Sequence, residues 1–481
     1  MNKEKTIGWN FDNSYSNLPK SFIYEISPVP VKRPELVIFN HDLADQMGLN
    51  FSNVDNEQLA KMFSGNLLPK GSKSLAQAYA GHQFGHFTML GDGRAVLLGE
   101  HISKSNQRLD VQFKGSGQTP FSRNGDGRAA LGPMLREYLI SEAMHSLNIP
   151  TTRSLAVVKT GENVIREKPL KGAILTRVAS SHIRVGTFQF IRTRENLDEL
   201  NTLVNYTIKR HYPEISKSKN NAYDLLSKLI DKQIELVVNW MRVGFIHGVM
   251  NTDNMAISGE TIDYGPCAFM NSYNLGTCFS SIDHMGRYAY GNQPAITKWN
   301  LARFAECLLN LINPKKDDAL KMATELIDKF DKIYQEKWFN MMKNKLGLIG
   351  DDKEDNLLIF ELLEIMKKQE LDYTNTFLFL MDHEIDYKKI YQNEELANWK
   401  IKWLKRLTKD SKNLMEQNNP AIIPRNHNVE NVLKSAENND LTPFNDLLQA
   451  LKNPYTNQKV LTKYQSPPHK RDEKYQTFCG T

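Results

Sequence analysis

The run Gly244-Phe245-Ile246-His247-Gly248-Val249-Met250-Asn251-Thr252-Asp253-Asn254 gathers an imidazole, a carboxylate and amides into one short stretch. It is followed by two apolar runs, 255–257 and 261–262, joined by Ser258-Gly259-Glu260. That linker has turn chemistry and predicts a tight antiparallel hairpin, entered at Asn254 and left at Asp263. A hairpin brings its ends together, so an amide oxygen and a carboxylate would meet at its open end. Both are hard oxygen ligands of the kind Mg²⁺ takes alongside phosphate oxygens and water. Taken alone, the same residues serve equally well as Asp and Asn capping the turns of a surface hairpin.

A second set of residues suits phosphate. Lys114 closes a strand-like run, 108–113, and leads into Gly115-Ser116-Gly117. A lysine in that place acts as a point charge on phosphates, and Glu137, on the helix expected over 129–147, is its expected partner. The string Gly-Asp-Gly-Arg occurs at 91–94 and again at 125–128. Glycines let backbone amides converge on an anion, and the second copy stands at a helix start, where phosphate is favoured. Arg177 and Arg184, at and beyond the end of another strand pattern, can add bidentate phosphate contacts. Each feature singly is an ordinary turn or solvated pair. Their order along one chain argues for a nucleotide site.

The elements that must position these groups fall into a pattern. Residues 87–90 and 95–98 flank the first Gly-Asp-Gly-Arg and predict a hairpin. Further strands are expected at 154–158 and 173–178. The second half is helical, with amphipathic patterns over 221–243, 299–311, 319–340, 355–368 and 396–409. We divide the chain into a wrapping N-terminal extension (1–70), a β-rich nucleotide-binding part (71–185), a helical catalytic part (186–345) and a C-terminal helical extension and tail (346–481). The class is α+β.

Composition sets the outer bounds. The chain has 481 residues, 40% hydrophobic and 24% charged, ordinary for a globular protein with a sizeable core. A net charge of +6 is too mild to argue for nucleic acid. The polar start lacks the apolar core of a signal peptide, and no run approaches a membrane span. Four irregularly spaced cysteines, Cys267, Cys278, Cys307 and Cys479, suit neither a disulfide scaffold nor a zinc site. These features lead us to expect a monomer in the cytoplasm, without membrane or nucleic-acid partners. His82 and His86 lack a third metal ligand and are expected to pack or turn. Asp283 and His284 are placed on the acceptor side of the cleft.

The spacing of His247, Asn254 and Asp263-Tyr264-Gly265 resembles the catalytic loop and metal-binding motif of protein kinases. Where those enzymes carry their base, two residues after the histidine, this chain has Val249, which accepts no proton. Asp253 is the nearest carboxylate.

The strings AQAYAGHQFG, LGDGR, DVQFKGSGQTPFSR-NGDGRAAL, LREYL, SSHIRVGTFQ, GFIHGVMNTDNM, DYGP and DHMGRYAYGNQP together resemble the selenoprotein O family, also called YdiU, of protein adenylyltransferases. The resemblance implies a two-lobed protein-kinase-like fold binding ATP in reversed orientation, with Mg²⁺ or Mn²⁺. AMP then passes to Ser, Thr or Tyr hydroxyls of protein substrates and pyrophosphate leaves. It implies Asp253 as proton acceptor, Asn254 and Asp263 as metal ligands, and a nucleotide pocket of Gly91, Gly93, Arg94, Lys114, Asp126, Gly127, Arg177, Arg184 and Asp263. UMP transfer from UTP, phosphoryl transfer and a catalytically dead ATP-binding scaffold are the competing expectations. A disulfide between Cys278 and Cys479 would restrict the cleft if the tail folds back.

Overall fold

The computed structural model describes residues 7–381, 393–456, 462–468 and 475–477. Its strands are β1 (Ile23–Glu25), β2 (Glu35–Phe39), β3 (Leu75–Gln77), β4 (Ala80–Gln83), β5 (His86–Met89), β6 (Ala95–Ile102), β7 (Arg108–Lys114), β8 (Ala129–Ala130), β9 (Arg153–Ile165) and β10 (Pro169–Ala179), with a short pair at 245–246 and 268–269. One antiparallel sheet runs β1–β3–β6–β7–β10–β9–β2, with β8 attached to β10. The first seventy residues therefore supply both edge strands. They also supply α1 (His41–Met47) and α2 (Asn56–Phe63), which cover one sheet face.

Strand β7 shows how the sheet serves the site. Val111 and Phe113 point into the core formed with Leu43, Met47, Leu59 and Phe63 of α1 and α2. Side chains alternate along a strand, so Asp110, Gln112 and Lys114 share the opposite face. All three are buried, which requires that each be paired. On that side α3 (Leu131–Ser146) packs on β9 and β10, α4 (Val185–Arg192) packs on β4, and α5 (Leu197–His211) reaches Asp110 through Arg210.

The 23-residue helix α6 (Asn221–Val243) buries Leu226, Leu229, Ile230, Ile234, Val237, Val238 and Met241. The Asn220 side chain caps its start by accepting from Tyr223 N. Gly244 ends it at φ 73°, a left-handed conformation that costs glycine little, and turns the chain into the 245–254 loop. Helices α7 (Gln293–Ile312) and α8 (Lys316–Leu346) pack on α6. Beyond them lie α9 (Asp355–Lys368), α10 (Tyr373–Leu380), α11 (Glu394–Leu404), α12 (Ser411–Asn418), α13 (Asn426–Glu437) and α14 (Thr442–Leu451). The helix expected over 396–409 ends at Leu404. No described helix is long and apolar enough to cross a membrane.

Two expected hairpins do not form. Residues 86–89 pair with β4 in a separate ribbon, while 95–102 pair with β3 and β7, so the first Gly-Asp-Gly-Arg links two sheets. Residues 255–262 make a turn whose arms bond elsewhere: Ala256 bridges Arg184 and Thr261 bridges Thr151. In the first case a tighter turn at Phe84-Gly85, both at positive φ, claims residues 86–89; in the second, long-range partners outcompete a local turn signal.

A buried charge cluster locks α5 to the sheet. Arg210 donates to Glu100 Oε1 at 2.7 Å, to Asp110 Oδ1 at 2.6 Å and to Ser180 O at 2.6 Å. Asp110 Oδ2 also accepts from His182 N at 2.8 Å, which fixes the segment leading to Arg184. Arg210→Met would strip two buried carboxylates of the guanidinium they share and should cost about 3–5 kcal/mol. Denaturant unfolding checks this; a loss below about 1 kcal/mol would contradict it.

Candidate active site

The large sheet meets the segment after the 245–254 loop around Asp263. Lys114 Nζ, at the end of β7, donates to Asp263 Oδ1 at 2.8 Å and to Glu137 Oε2 on α3 at 2.6 Å. Arg177, inside β10, donates to Asp263 Oδ1 at 2.6 Å and to Glu137 Oε1 at 3.3 Å. Arg184 Nη1 lies 3.6 Å from Asp263 Oδ2 and donates to Asp253 O at 3.0 Å. Its guanidinium also stacks over Tyr79, 4.4 Å from the ring centre. Burial raises the cost of charge on Asp263, but Lys114, Arg177 and Arg184 outweigh it and hold the carboxyl well below the usual range. Asp263 itself has φ 63°, unusual for a residue with a side chain.

These groups line a cleft of about 480 Å³. The residues expected from sequence to accept the proton, hold metal or form the nucleotide pocket all border it: Gly91, Gly93, Arg94, Lys114, Asp126, Gly127, Arg177, Arg184, Asp253, Asn254 and Asp263. Arg123, Arg128 and Arg166 add further positive charge at its edge. Arg166 holds Asp126 with Nη1 at 2.9 Å from Oδ2 and Nη2 at 3.2 Å from Oδ1.

Asp253 stands in a short turn, Thr252–Asn254, and is 7% exposed. Burial pushes its carboxyl up to about 6, and Arg184 partly opposes that. Its Oδ1 has no hydrogen-bond partner among the described residues. An unpartnered buried carboxylate oxygen is costly unless something else uses it. Asn254 spends its amide nitrogen on Val249 O at 3.0 Å, so its oxygen is the atom that could serve a metal. Among the described residues no group of three or more His, Cys, Asp or Glu forms a metal site. The oxygen donors of Asp263 and Asn254 suit Mg²⁺ or Mn²⁺ completing its shell with phosphate and water.

The loop is held from several sides. His247 is buried, and its Nε2 lies 2.9 Å from Ile262 O, tying the loop to the residue before Asp263. The β4–β5 ribbon docks on it through His82 N to Thr252 Oγ1 at 2.7 Å and Phe84 N to Asn251 Oδ1 at 3.1 Å. His82 also bonds Gln189 at 2.7 Å and packs edge-on to Phe87 and Trp299. His86 is exposed. Asp283 accepts from Arg287 N and Tyr288 N, both at 2.8 Å, and Tyr288 OH reaches Asn251 Oδ1 at 2.7 Å.

Sequence reasoning passed over Asp92 and Gln112. Gln112 accepts from Arg177 Nη2 at 2.7 Å and donates to Asp92 Oδ2 at 3.2 Å, which links the first glycine loop to Arg177. Burial pushes Asp92 up to about 6. The signal was available: polar residues alternate with Val111 and Phe113 along β7. The disulfide expectation involves Cys479, which lies outside the described residues. Cys278 has a thiol that burial and Asp283 push up to about 11.

Comparison with known proteins decides the family. A family model described as "Protein adenylyltransferase SelO" matches residues 5–452. The chain belongs to the SelO family. It is 63% identical to the "Protein nucleotidyltransferase YdiU" of Pelagibacter ubique over 482 residues, covering 99% of this chain and all of that one. Proteins of the same name from Nitrosococcus oceani and Clostridium perfringens are each 54% identical over 486 residues, covering all of this chain and 99% of theirs. The SelO chain is thus an enzyme, a nucleotidyltransferase.

The ribbon gives this site a sharp steric test. A Cβ placed on Gly81 of β4 would stand 2.3 Å from Asp253 Oδ1. Gly81→Ala must therefore displace either the ribbon or the carboxylate. A displacement near 1 Å at reacting groups costs about a hundredfold in rate. We expect that loss in nucleotidyl transfer with little change in Tm; wild-type activity would show that Gly81 does not seat Asp253.

Proposed function

We propose that this SelO chain has a protein-kinase-like, two-lobed arrangement and transfers AMP from ATP to Ser, Thr or Tyr hydroxyls of proteins. The observation that carries the reading is the buried, unpartnered Oδ1 of Asp253 beside the three-cation cluster on Asp263, where Val249 replaces a kinase base. Family membership and the names of the YdiU relatives support it.

In this reading Lys114, Arg177 and Arg184 bind the phosphates, and Glu137 keeps Lys114 and Arg177 aimed at them. The glycine loops at Gly91, Gly93 and Gly127 let backbone approach the nucleotide closely, with Arg94 and Asp126 beside them. ATP lies reversed, its γ-phosphate among the buried arginines and its α-phosphorus towards Asp253. Asp253 accepts the proton of the acceptor hydroxyl. The hydroxyl oxygen bonds to the α-phosphorus as the bond from that phosphorus to pyrophosphate breaks. Asn254 and Asp263 would hold Mg²⁺ or Mn²⁺, which supplies charge stabilisation to the phosphates. A carboxyl raised by burial is a better proton acceptor than an exposed one, yet is mostly ionised at neutral pH.

ATP labelled at either the α- or the γ-phosphate provides the test. The α-label should appear on protein hydroxyl side chains, and the γ-label should leave as pyrophosphate. Asp253→Ala should cut transfer by about a hundredfold or more while ATP affinity changes only a few-fold. Protein-bound γ-label without α-label would establish phosphoryl transfer instead. Label from neither position would favour an ATP-binding scaffold, and faster transfer from UTP would favour UMP.

A further inference from the structure

The C-terminal tail reaches the segment that leaves Asp263. We propose that Thr477 is a positioning residue for the transfer reaction, acting by fixing the backbone immediately after Asp263-Tyr264-Gly265. The inference rests on Asp263 serving the reaction as proposed above.

Thr477 is 5% exposed, and its Oγ1 donates to Pro266 O at 2.8 Å. The same oxygen lies 3.1 Å from Phe279 O, but that carbonyl already accepts from Thr477 N at 2.7 Å. A hydroxyl has one proton to give, and the nearer carbonyl of Pro266 is its natural acceptor. Proline has no N–H, so its carbonyl is its only backbone hydrogen-bonding group. Pro266 also lines the cleft, and a Cβ on Gly248 would come within 2.5 Å of its oxygen. Its carbonyl is thus wedged between the tail and the loop that carries Asp253 and Asn254.

The next carbonyl is held as well. Arg136 Nη2 donates to Cys267 O at 2.6 Å, and its Nη1 donates to Glu430 Oε1 on α13 at 2.8 Å. Tyr475 OH donates to that same Glu430 oxygen at 2.8 Å. Arg136 precedes Glu137, the partner of Lys114. Ser281 N donates to Thr477 O at 3.0 Å, so Thr477 makes an isolated parallel bridge with Ser280. Two consecutive carbonyls after the Asp263 turn are therefore tied to the tail, one directly and one through Arg136 and Glu430. A residue that only closed the surface would have no need to reach Pro266.

The test uses the full chain and two substitutions. Thr477→Val keeps the shape and removes the hydroxyl; Thr477→Ser keeps the hydroxyl. We expect Thr477→Val to lower kcat about tenfold with KM for ATP nearly unchanged. Mn²⁺ affinity, read by electron paramagnetic resonance with a non-hydrolysable ATP analogue, should fall several-fold. Tm should hold, and Thr477→Ser should restore both values. Wild-type kcat or wild-type Mn²⁺ affinity in Thr477→Val would overturn the proposal. So would a loss that tracks a fall in Tm, or one that serine does not restore. The Mn²⁺ readout does not depend on which phosphate is transferred, so a failure of the AMP reading would be seen separately in the wild type.

Discussion

One carboxylate surrounded by three cations sets the terms for this molecule. Asp263 takes Lys114 from β7, Arg177 from β10 and Arg184 from the stretch before α4, and Glu137 from α3 shares two of them. Burying these five charges is unfavourable unless their geometry is well matched, because each loses its hydration. The sheet meets that demand by register: Arg177 lies opposite Gln112, and Lys114 opposite Leu175, so both cations emerge on one face. Remove the pairing and the fold would hold uncompensated charge where the sheet meets Asp263.

The rest of the architecture reads as support for that contact. The apolar face of β7 rests on the N-terminal helices, which keeps the polar face turned towards the cleft. Arg210 anchors the path to Arg184 through Asp110 and Ser180. The β4–β5 ribbon seats the loop carrying Asp253, and His247 joins that loop to the residue before Asp263. Rigidity of this kind matters more for a transferase than for a binding protein, since reacting groups must be held to fractions of an ångström.

Much of the site was legible because its signals are local. Lys114 at a strand end, Glu137 on the following helix and the capped run of α6 into Gly244 all follow from short-range patterning. The two failed hairpins show the limit. Ser258-Gly259-Glu260 has genuine turn chemistry, yet Ala256 and Thr261 bond to Arg184 and Thr151, which the chain brings in from far away. Asp92 and Gln112 were readable from alternation along β7, but a buried polar residue on a strand names no partner by itself. The contact of Thr477 with Pro266 spans 211 positions, and nothing near either residue announces it.

The proposed AMP transfer depends on which phosphorus faces Asp253. The direct measurement is a crystal structure of the full chain with Mn²⁺ and a non-hydrolysable ATP analogue, the metal located by its anomalous scattering. The account predicts the γ-phosphate against Arg177 and Arg184, Mn²⁺ on Asn254 and Asp263, and the α-phosphorus as the one nearest Asp253. A γ-phosphorus nearest Asp253, with the adenine end towards Arg177 and Arg184, would contradict it.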